Sequence, residues 1–247
     1  MRNAHEAMEK IDVTTKDGTA NFVTEHDVRI QNRLIDAIKS IVPDACFIAE
    51  EKENDPTLLQ ARRCFVIDPI DGTTNFIHNC RHSCVSLGLL SHGEVVFGAV
   101  YNPYLDEMFY AERGQGAYLN DRPIQVANHP FEQALVAYGT APYYKKELAE
   151  KTFALCHDLF FSCADVRRCG SAALDLVNLA AGRYDLFFEF LLSPWDIAAG
   201  SLIITEAGGI ISDMKGNPVD FSHPCPILAS TPHLYEQLLT AVRPYID

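Results

Sequence analysis

Residues 64–76 read CFVIDPIDGTTNF, an apolar run that leads into two aspartates three residues apart, Asp68 and Asp71. Cys64-Phe65-Val66-Ile67 reads as a buried strand. Pro69 forces an extended turn. Gly72-Thr73-Thr74 can then open a helix or tight loop whose free backbone N–H groups point outward, and such groups bind phosphate oxygens. Two carboxylates on the rim of that site would repel phosphate unless metal cations lie between them. Hard divalent ions such as Mg2+ take carboxylate, carbonyl and water oxygens. On local composition alone the segment reads equally as a turn with two surface aspartates, because Asp, Pro, Gly and Asn are all turn residues.

The same strand-then-carboxylate pattern occurs upstream, where Cys46-Phe47-Ile48-Ala49 runs into Glu50-Glu51. Before it, Ile30, Leu34, Ile38 and Ile41 recur at helical spacing, predicting a helix over 27–42 that Pro43 stops. Ser83 to Leu90, Glu94 to Tyr101 and Glu107 to Glu112 read as antiparallel strands separated by turn residues. Beyond residue 125 strands and helices alternate. Strands are expected at Leu135–Tyr138, Leu186–Phe190, Ile210-Ile211 and Ile227-Leu228, and helices at 147–160 and 233–243. Ser171 caps a further helix that Gly182 closes, and Pro194-Trp195-Asp196 opens another that ends at Gly208-Gly209. Taken alone, Asp196 reads as a helix-start carboxylate favoured by the helix dipole. The expectation is mixed α and β layers. An N-terminal α+β half spans residues 1–125 and a C-terminal α/β half spans 126–247, together forming one catalytic unit.

Composition bounds the function. With 247 residues, 48% hydrophobic and 21% charged, the chain is an ordinary globular protein, not a disordered, collagen-like or coiled-coil one. Acidic residues outnumber basic ones 33 to 20, a formal charge of −13. A surface that negative repels nucleic-acid phosphates, so nucleic acid is excluded as a partner. No apolar run is long enough for a membrane helix, and the N-terminus lacks the apolar core of a signal peptide. The eight cysteines form no Cys-x-x-Cys pair. A reduced cytoplasmic protein with no membrane partner is expected.

Four segments in order resemble the inositol monophosphatase family of metal-dependent, lithium-sensitive phosphatases. They are Phe22–Asp27, Phe47–Glu51, Asp68–Phe76, and Trp195–Gly200 with Thr205–Gly209. The resemblance runs from about residue 16 to the C-terminus. It implies a layered α-β-α-β-α sandwich and a Mg2+-dependent phosphomonoesterase with two to three ions. By that resemblance Glu50, Asp68 and the Ile70 carbonyl bind a first metal. Asp68, Asp71 and Asp196 hold a second, and Glu50 supports a third through waters. Thr73 and Glu50 orient and deprotonate the attacking water. The N–H groups of Gly72 and Thr73 hold the phosphate. Gly170-Ser171-Ala172 and Glu189 contact sugar or inositol hydroxyls. A homodimer is also implied.

Such chemistry has a physical basis, since two metals about 3.5–4 Å apart stabilise both the entering and the leaving oxygen of an in-line displacement. No Gly-x-Ser-x-Gly elbow supports a covalent route. The substrate is expected to be inositol monophosphate or a related small sugar or polyol phosphate. Fructose 1,6-bisphosphate, 3′-phosphoadenosine phosphate, histidinol phosphate and NADP are alternatives within the family. A non-catalytic metal or phosphate-ligand binding protein, or a regulatory partner of another protein, is the alternative outside it.

The chain departs from the family pattern in two places. Lys16 and Asn21 stand where relatives carry a basic residue and an Asp or Asn that supports the third metal, and the neutral Asn21 would weaken that site. Where the family carries a long first helix, fifteen residues precede Lys16; either the start is assigned too late or part of the helix is absent, and His5–Lys10 would supply about two turns. His78-x-Cys80-x-His82-x-Cys84 could place four soft ligands on one strand face, but a linear strand cannot wrap them around one zinc. They are read as strand residues without a metal. Cys163 and Cys169 read as plain buried or loop residues, and Arg167-Arg168 as a solvated basic pair rather than one that meets a substrate phosphate.

Overall fold

The computed structural model describes Met1, residues 13–15 and residues 22–246. The expectations for the first helix, Lys16 and Asn21 lie outside the described residues. A short antiparallel ribbon, β1 (Val13–Thr15) and β2 (Phe22–Thr24), leads into helix α1 (Glu25–Ile41). This helix starts two residues earlier than its apolar spacing predicts because Thr24 and Asp27 form a capping box. The Thr24 N–H donates to Asp27 Oδ2 at 2.8 Å and the His26 N–H to Thr24 Oγ1 at 3.2 Å.

Two sheets follow. The first takes β3 (Cys46–Ala49), β4 (Cys64–Asp71), β5 (Cys84–Ser91), β6 (Glu94–Asn102), β7 (Glu107–Glu112), β8 (Ala117–Leu119) and β9 (Arg122–Ile124) in sequence order. The pair β3–β4 is parallel and the rest are antiparallel. The β8–β9 hairpin escaped sequence reading. Its signal is Asn120-Asp121, both at positive φ (46° and 62°), as a tight hairpin turn demands. The second sheet has the order β11 (Asp165–Arg167), β10 (Leu135–Tyr138), β12 (Leu186–Leu192), β14 (Cys225–Ser230), β13 (Ile210–Ser212). Here β10 pairs in parallel with β11 and β12, while β14 runs antiparallel to both its neighbours.

The layers follow from which faces are apolar. Helix α1 covers one face of the first sheet through Leu34, Ile35 and Ile38, against Phe47, Phe65 and Ile67. Helices α4 (Ala172–Ala180) and α5 (Pro194–Glu206) lie between the sheets, and all nine residues of α4 are buried. A helix covered on every side has no need of a polar stripe. Helices α3 (Lys145–Phe160) and α6 (Tyr235–Val242) close the outer face of the second sheet over Leu155, Leu159, Phe188 and Leu238. The result is the expected α-β-α-β-α sandwich. Phe187, Ile197, Ile203 and Ile227 belong to its central core. No helix among the described residues is long and apolar enough to cross a membrane.

Each sheet is bulged where it meets the crevice between them. On β4, the four residues Asp68 to Asp71 face three on β5, with Asp68 opposite Ser86 and Asp71 opposite Cys84. On β12, Glu189 to Leu192 span Ile227 to Cys225 in the same way. The stretch 78–83 is not a strand, contrary to its alternating sequence. Asn79 and Arg81 take left-handed φ values (52° and 56°), and β5 begins only at Cys84. Alternation of side chains is lost there, so His78, Cys80, His82 and Cys84 do not share a face. All eight cysteines are free.

Candidate active site

The bulge in β4 explains how the two aspartates meet. In a regular strand, residues three apart point to opposite faces. One extra residue restores the same side, and Pro69, which has no N–H to donate, is tolerated at such a break. Carboxylate oxygens of Asp68, Asp71 and Asp196 lie within 4.8 Å of one another. Asp196 arrives from the first turn of α5. Its Oδ2 accepts the Ser193 N–H at 2.6 Å in a capping box. Helix capping and membership of the carboxylate cluster are thus two jobs of one side chain.

Asp71 is fixed from across the crevice. Its Oδ2 accepts the Ser171 hydroxyl and, at 2.8 Å, the Ala173 N–H. Ser171 is the N-cap of α4, so the start of that helix is built onto Asp71. Asp68 Oδ1 accepts the Ile70 N–H at 2.9 Å. Thr73 opens the short helix α2 (Thr73–Ile77), and its hydroxyl donates to the Ile70 carbonyl at 3.1 Å. Gly72 precedes it at φ 87°. A Cβ there would meet the Gly170 carbonyl oxygen at 3.0 Å and the His82 carbonyl oxygen at 3.1 Å, so only glycine fits.

These residues surround a cavity of about 530 Å³ that Glu50, Ile70, Gly170, Ser171, Ala172 and Glu189 also line. Glu189 is buried, and its Oε1 accepts the Ala141 N–H at 2.8 Å. Gly139 makes room for it, since a Cβ on that residue would sit 1.8 Å from Glu189 Oε2. Every described residue of the expected site therefore faces one cavity.

The electrostatics are severe. Six carboxylates, from Glu50, Asp68, Asp71, Asp175, Glu189 and Asp196, line the cavity against one guanidinium, that of Arg168. Burial pushes Asp68 well above the usual carboxylate range, reinforced by the charges of Glu50, Asp71 and Asp196. Asp196 is raised in the same way, by burial and then by Asp71 and Glu50. Asp71 is raised by burial, against the pull of its Ser171 and Ala173 donors. Buried like charges this close are held ionised only by cations. A set of oxygen donors with no sulfur or nitrogen suits a hard divalent ion. The donor chemistry thus fits Mg2+, with Asp68, Asp71 and Asp196 able to hold it and Glu50 lining the same cavity.

Tyr143 and Tyr144 were not singled out from sequence, and Arg168 was read differently. Tyr143 and Tyr144 form part of the wall, and the Tyr143 phenol is pushed up by desolvation and then by the charges of Glu50, Asp196, Asp68 and Asp71. Arg168 differs from its expected reading. Arg167 ion-pairs with Asp165 on the outside, but Arg168 lines the cavity and its Nη2 donates to Thr140 Oγ1 at 2.9 Å. The two arginines part because β11 ends at Arg167 and the chain then turns inward towards Gly170. A basic residue two positions before a Gly-Ser helix cap was the available signal.

The model of the inositol monophosphatase family matches residues 1–247. Nus factor SuhB of Vibrio cholerae is 40% identical over 241 residues, covering 96% of this chain and 88% of that protein. The solved structure of Thermotoga maritima IMPase superposes with a TM-score of 0.86 at 32% identity, covering 95% of this chain and 88% of that one. An IMPase/NADP phosphatase solved with Mg2+ and phosphate has the same fold, with a TM-score of 0.87 at 23% identity over 98% of this chain and 90% of that one. These findings correct one expectation. The exclusion of nucleic acid among the partners does not stand, because relatives matched over most of their length are named Nus factors. Net charge is a whole-surface sum, and the concentration of carboxylates in one cavity leaves the sign of other patches undetermined by it.

Proposed function

The chain belongs to the inositol monophosphatase family, and from that premise we propose that it is a Mg2+-dependent phosphomonoesterase acting on inositol monophosphate or a related small sugar or polyol phosphate. The observation that carries this reading is the bulge-driven convergence of Asp68, Asp71 and Asp196 on one oxygen-lined cavity. Glu50, Asp68 and the Ile70 carbonyl would hold one ion, and Asp68, Asp71 and Asp196 a second. Glu50 would support a third together with the Lys16–Asn21 segment. When bound, Mg2+ neutralises the cavity and stabilises charge on the entering and leaving oxygens.

The chain's own groups do the rest. The N–H groups of Gly72 and Thr73 receive the phosphate oxygens, since Gly72 turns the backbone outward at the start of α2. Thr73 Oγ1 and Glu50 orient the attacking water, and Glu50 accepts its proton. Gly170, Ser171, Ala172 and Glu189 face the alcohol part of the substrate. Glu189 can accept from a hydroxyl when ionised and donate to one when protonated. The reaction is a direct displacement without a covalent phosphoenzyme.

The relatives' name favours a second reading, that this chain serves as a Nus factor as they are named to do. Phosphate release from a panel of phosphomonoesters, with and without Mg2+ and with added Li+, separates the two. Mg2+-dependent release from a sugar or inositol phosphate, suppressed by Li+, supports the phosphatase. A folded protein that releases phosphate from no member of the panel overturns it and leaves the factor.

A further inference from the structure

A second cluster adjoins the carboxylate cavity and shares Asp175 with its wall, but its donors differ in chemistry. A ring nitrogen of His82, Cys169 Sγ and a carboxylate oxygen of Asp175 lie within 4.8 Å of one another. Asp175 stands on the fully buried α4 and is 1% exposed. Its Oδ1 and His82 Nε2 are both buried without a hydrogen-bond partner among the described residues. Unpaired buried polar atoms cost about 1–3 kcal/mol each, and the Asp175 carboxylate also hydrogen-bonds the Cys169 thiol. The cluster also has a rigid frame. Asn75 Nδ2 donates to the carbonyl oxygens of both His82 and Cys169, each at 2.8 Å. Asn75 and Cys169, 94 residues apart in sequence, are thereby held together, with His82 bonded to the same amide.

We propose that His82, Cys169 and Asp175 form a binding site for a zinc-class transition-metal ion, separate from the Asp68, Asp71 and Asp196 cluster. Mixed nitrogen, sulfur and oxygen donors select a borderline ion such as Zn2+ over Mg2+. Bonds of about 2.0–2.3 Å in a tetrahedron separate the ligand atoms by about 3.3–3.6 Å, so side-chain movements of about 1 Å complete the site. Binding releases the Cys169 thiol proton to solvent. Thiolate, carboxylate and neutral imidazole then balance the two positive charges, and water fills the fourth position. The consequence is positional. The His82 carbonyl and the Gly170 carbonyl flank Gly72, so an ion joining His82 to Cys169 clamps both walls of the phosphate-binding turn.

Cobalt substitution tests this on the full-length protein. Co2+ bound by oxygens alone, as in the catalytic cavity, gives no thiolate charge-transfer band. The expected result is a near-ultraviolet thiolate-to-cobalt band that saturates at one equivalent. It should be bleached by Zn2+, indifferent to excess Mg2+, lost in Cys169→Ser and kept in Cys80→Ser. No band, or a band that survives Cys169→Ser, overturns the proposal. If Cys169→Ser does not fold, alkylation of the wild-type protein read by peptide mass decides. Zn2+ should protect Cys169 selectively, and equal labelling with and without Zn2+ would sink the site.

Discussion

Replacing Glu189 by glutamine should flatten the pH dependence of stability in the metal-free protein. Glu189 is 7% exposed, and burial pushes its carboxyl from the ordinary 4.5 up to about 7, against the Ala141 N–H and the Arg168 guanidinium and with the Asp71 charge. Between those values the folded protein keeps a proton that the unfolded chain has released. The folded state is therefore disfavoured progressively as pH rises from 4.5, and the penalty is complete above about 7. The whole gap corresponds to about 3 kcal/mol, of which about 2.5 kcal/mol falls between about pH 5 and pH 8. Glutamine keeps an oxygen for the Ala141 N–H but binds no proton. In urea unfolding with chelator present, the variant should exceed the wild type by about 1 kcal/mol near pH 5 and by roughly 3 kcal/mol near pH 8. The other raised carboxylates are common to both proteins; Asp175 and Asp196, which the Glu189 charge also raises, are relieved in the variant, a change of the same sign. Added Mg2+ should shrink the gap, since a nearby cation favours the carboxylate. A wild-type-minus-variant difference that stays constant with pH would refute the buried, proton-holding Glu189.

Three further outcomes are expected. Asp71→Asn should lower Mg2+-dependent phosphate release by at least about 10²-fold, the order of losing one preorganised electrostatic contact, while the urea midpoint in chelator does not fall; near-wild-type turnover would contradict the carboxylate cluster as the metal seat. Thr73→Ala should lower kcat roughly 10²-fold with Mg2+ affinity little changed. A large loss of Mg2+ affinity instead would show that the hydroxyl acts by holding the Ile70 carbonyl. Gly139→Ala puts a Cβ 1.8 Å from Glu189 Oε2 and should cost about 1–3 kcal/mol by overpacking; an unchanged urea midpoint would mean that Glu189 swings freely.

The local sequence made the elements legible because their signals are local. Leu135–Tyr138 and Glu107–Glu112 are strands with the expected bounds, and Ser171 is the helix cap it was read to be. The five aligned carboxyl and hydroxyl residues, Glu50, Asp68, Asp71, Thr73 and Asp196, share a cavity, which their order along the chain alone does not require. What was illegible depends on distance in sequence. His82 reads as one member of an alternating His/Cys run, but left-handed turns at Asn79 and Arg81 break the alternation and aim it at Cys169 and Asp175. Arg168 reads as half of a basic pair until the end of β11 separates it from Arg167. Tyr143 has no local mark at all. Its place follows from Glu189 being seated beneath Gly139 and bonded to Ala141, two residues before it.

The two bulges tie stability to activity. Each spoils a regular ladder, one beside Asp68 and Asp71, the other beside Glu189, and each turns carboxylates into the same crevice. A fold selected for stability alone would gain by pairing these strands regularly and leaving the acids in water. Instead Asp68, Asp71 and Glu189 are all less than a tenth exposed, and desolvation is the first cause of the upward shift in each. The core between the sheets, from Phe187 to Ile203, bears that cost when no ion is bound. Cations that lower it would bind the folded chain and not the unfolded one, so on the proposed reading Mg2+ should stabilise by mass action. Metal affinity and folding stability are then two readings of one carboxylate cluster, and a substitution that relieves the repulsion stabilises the metal-free protein by removing the site's hold on the ion.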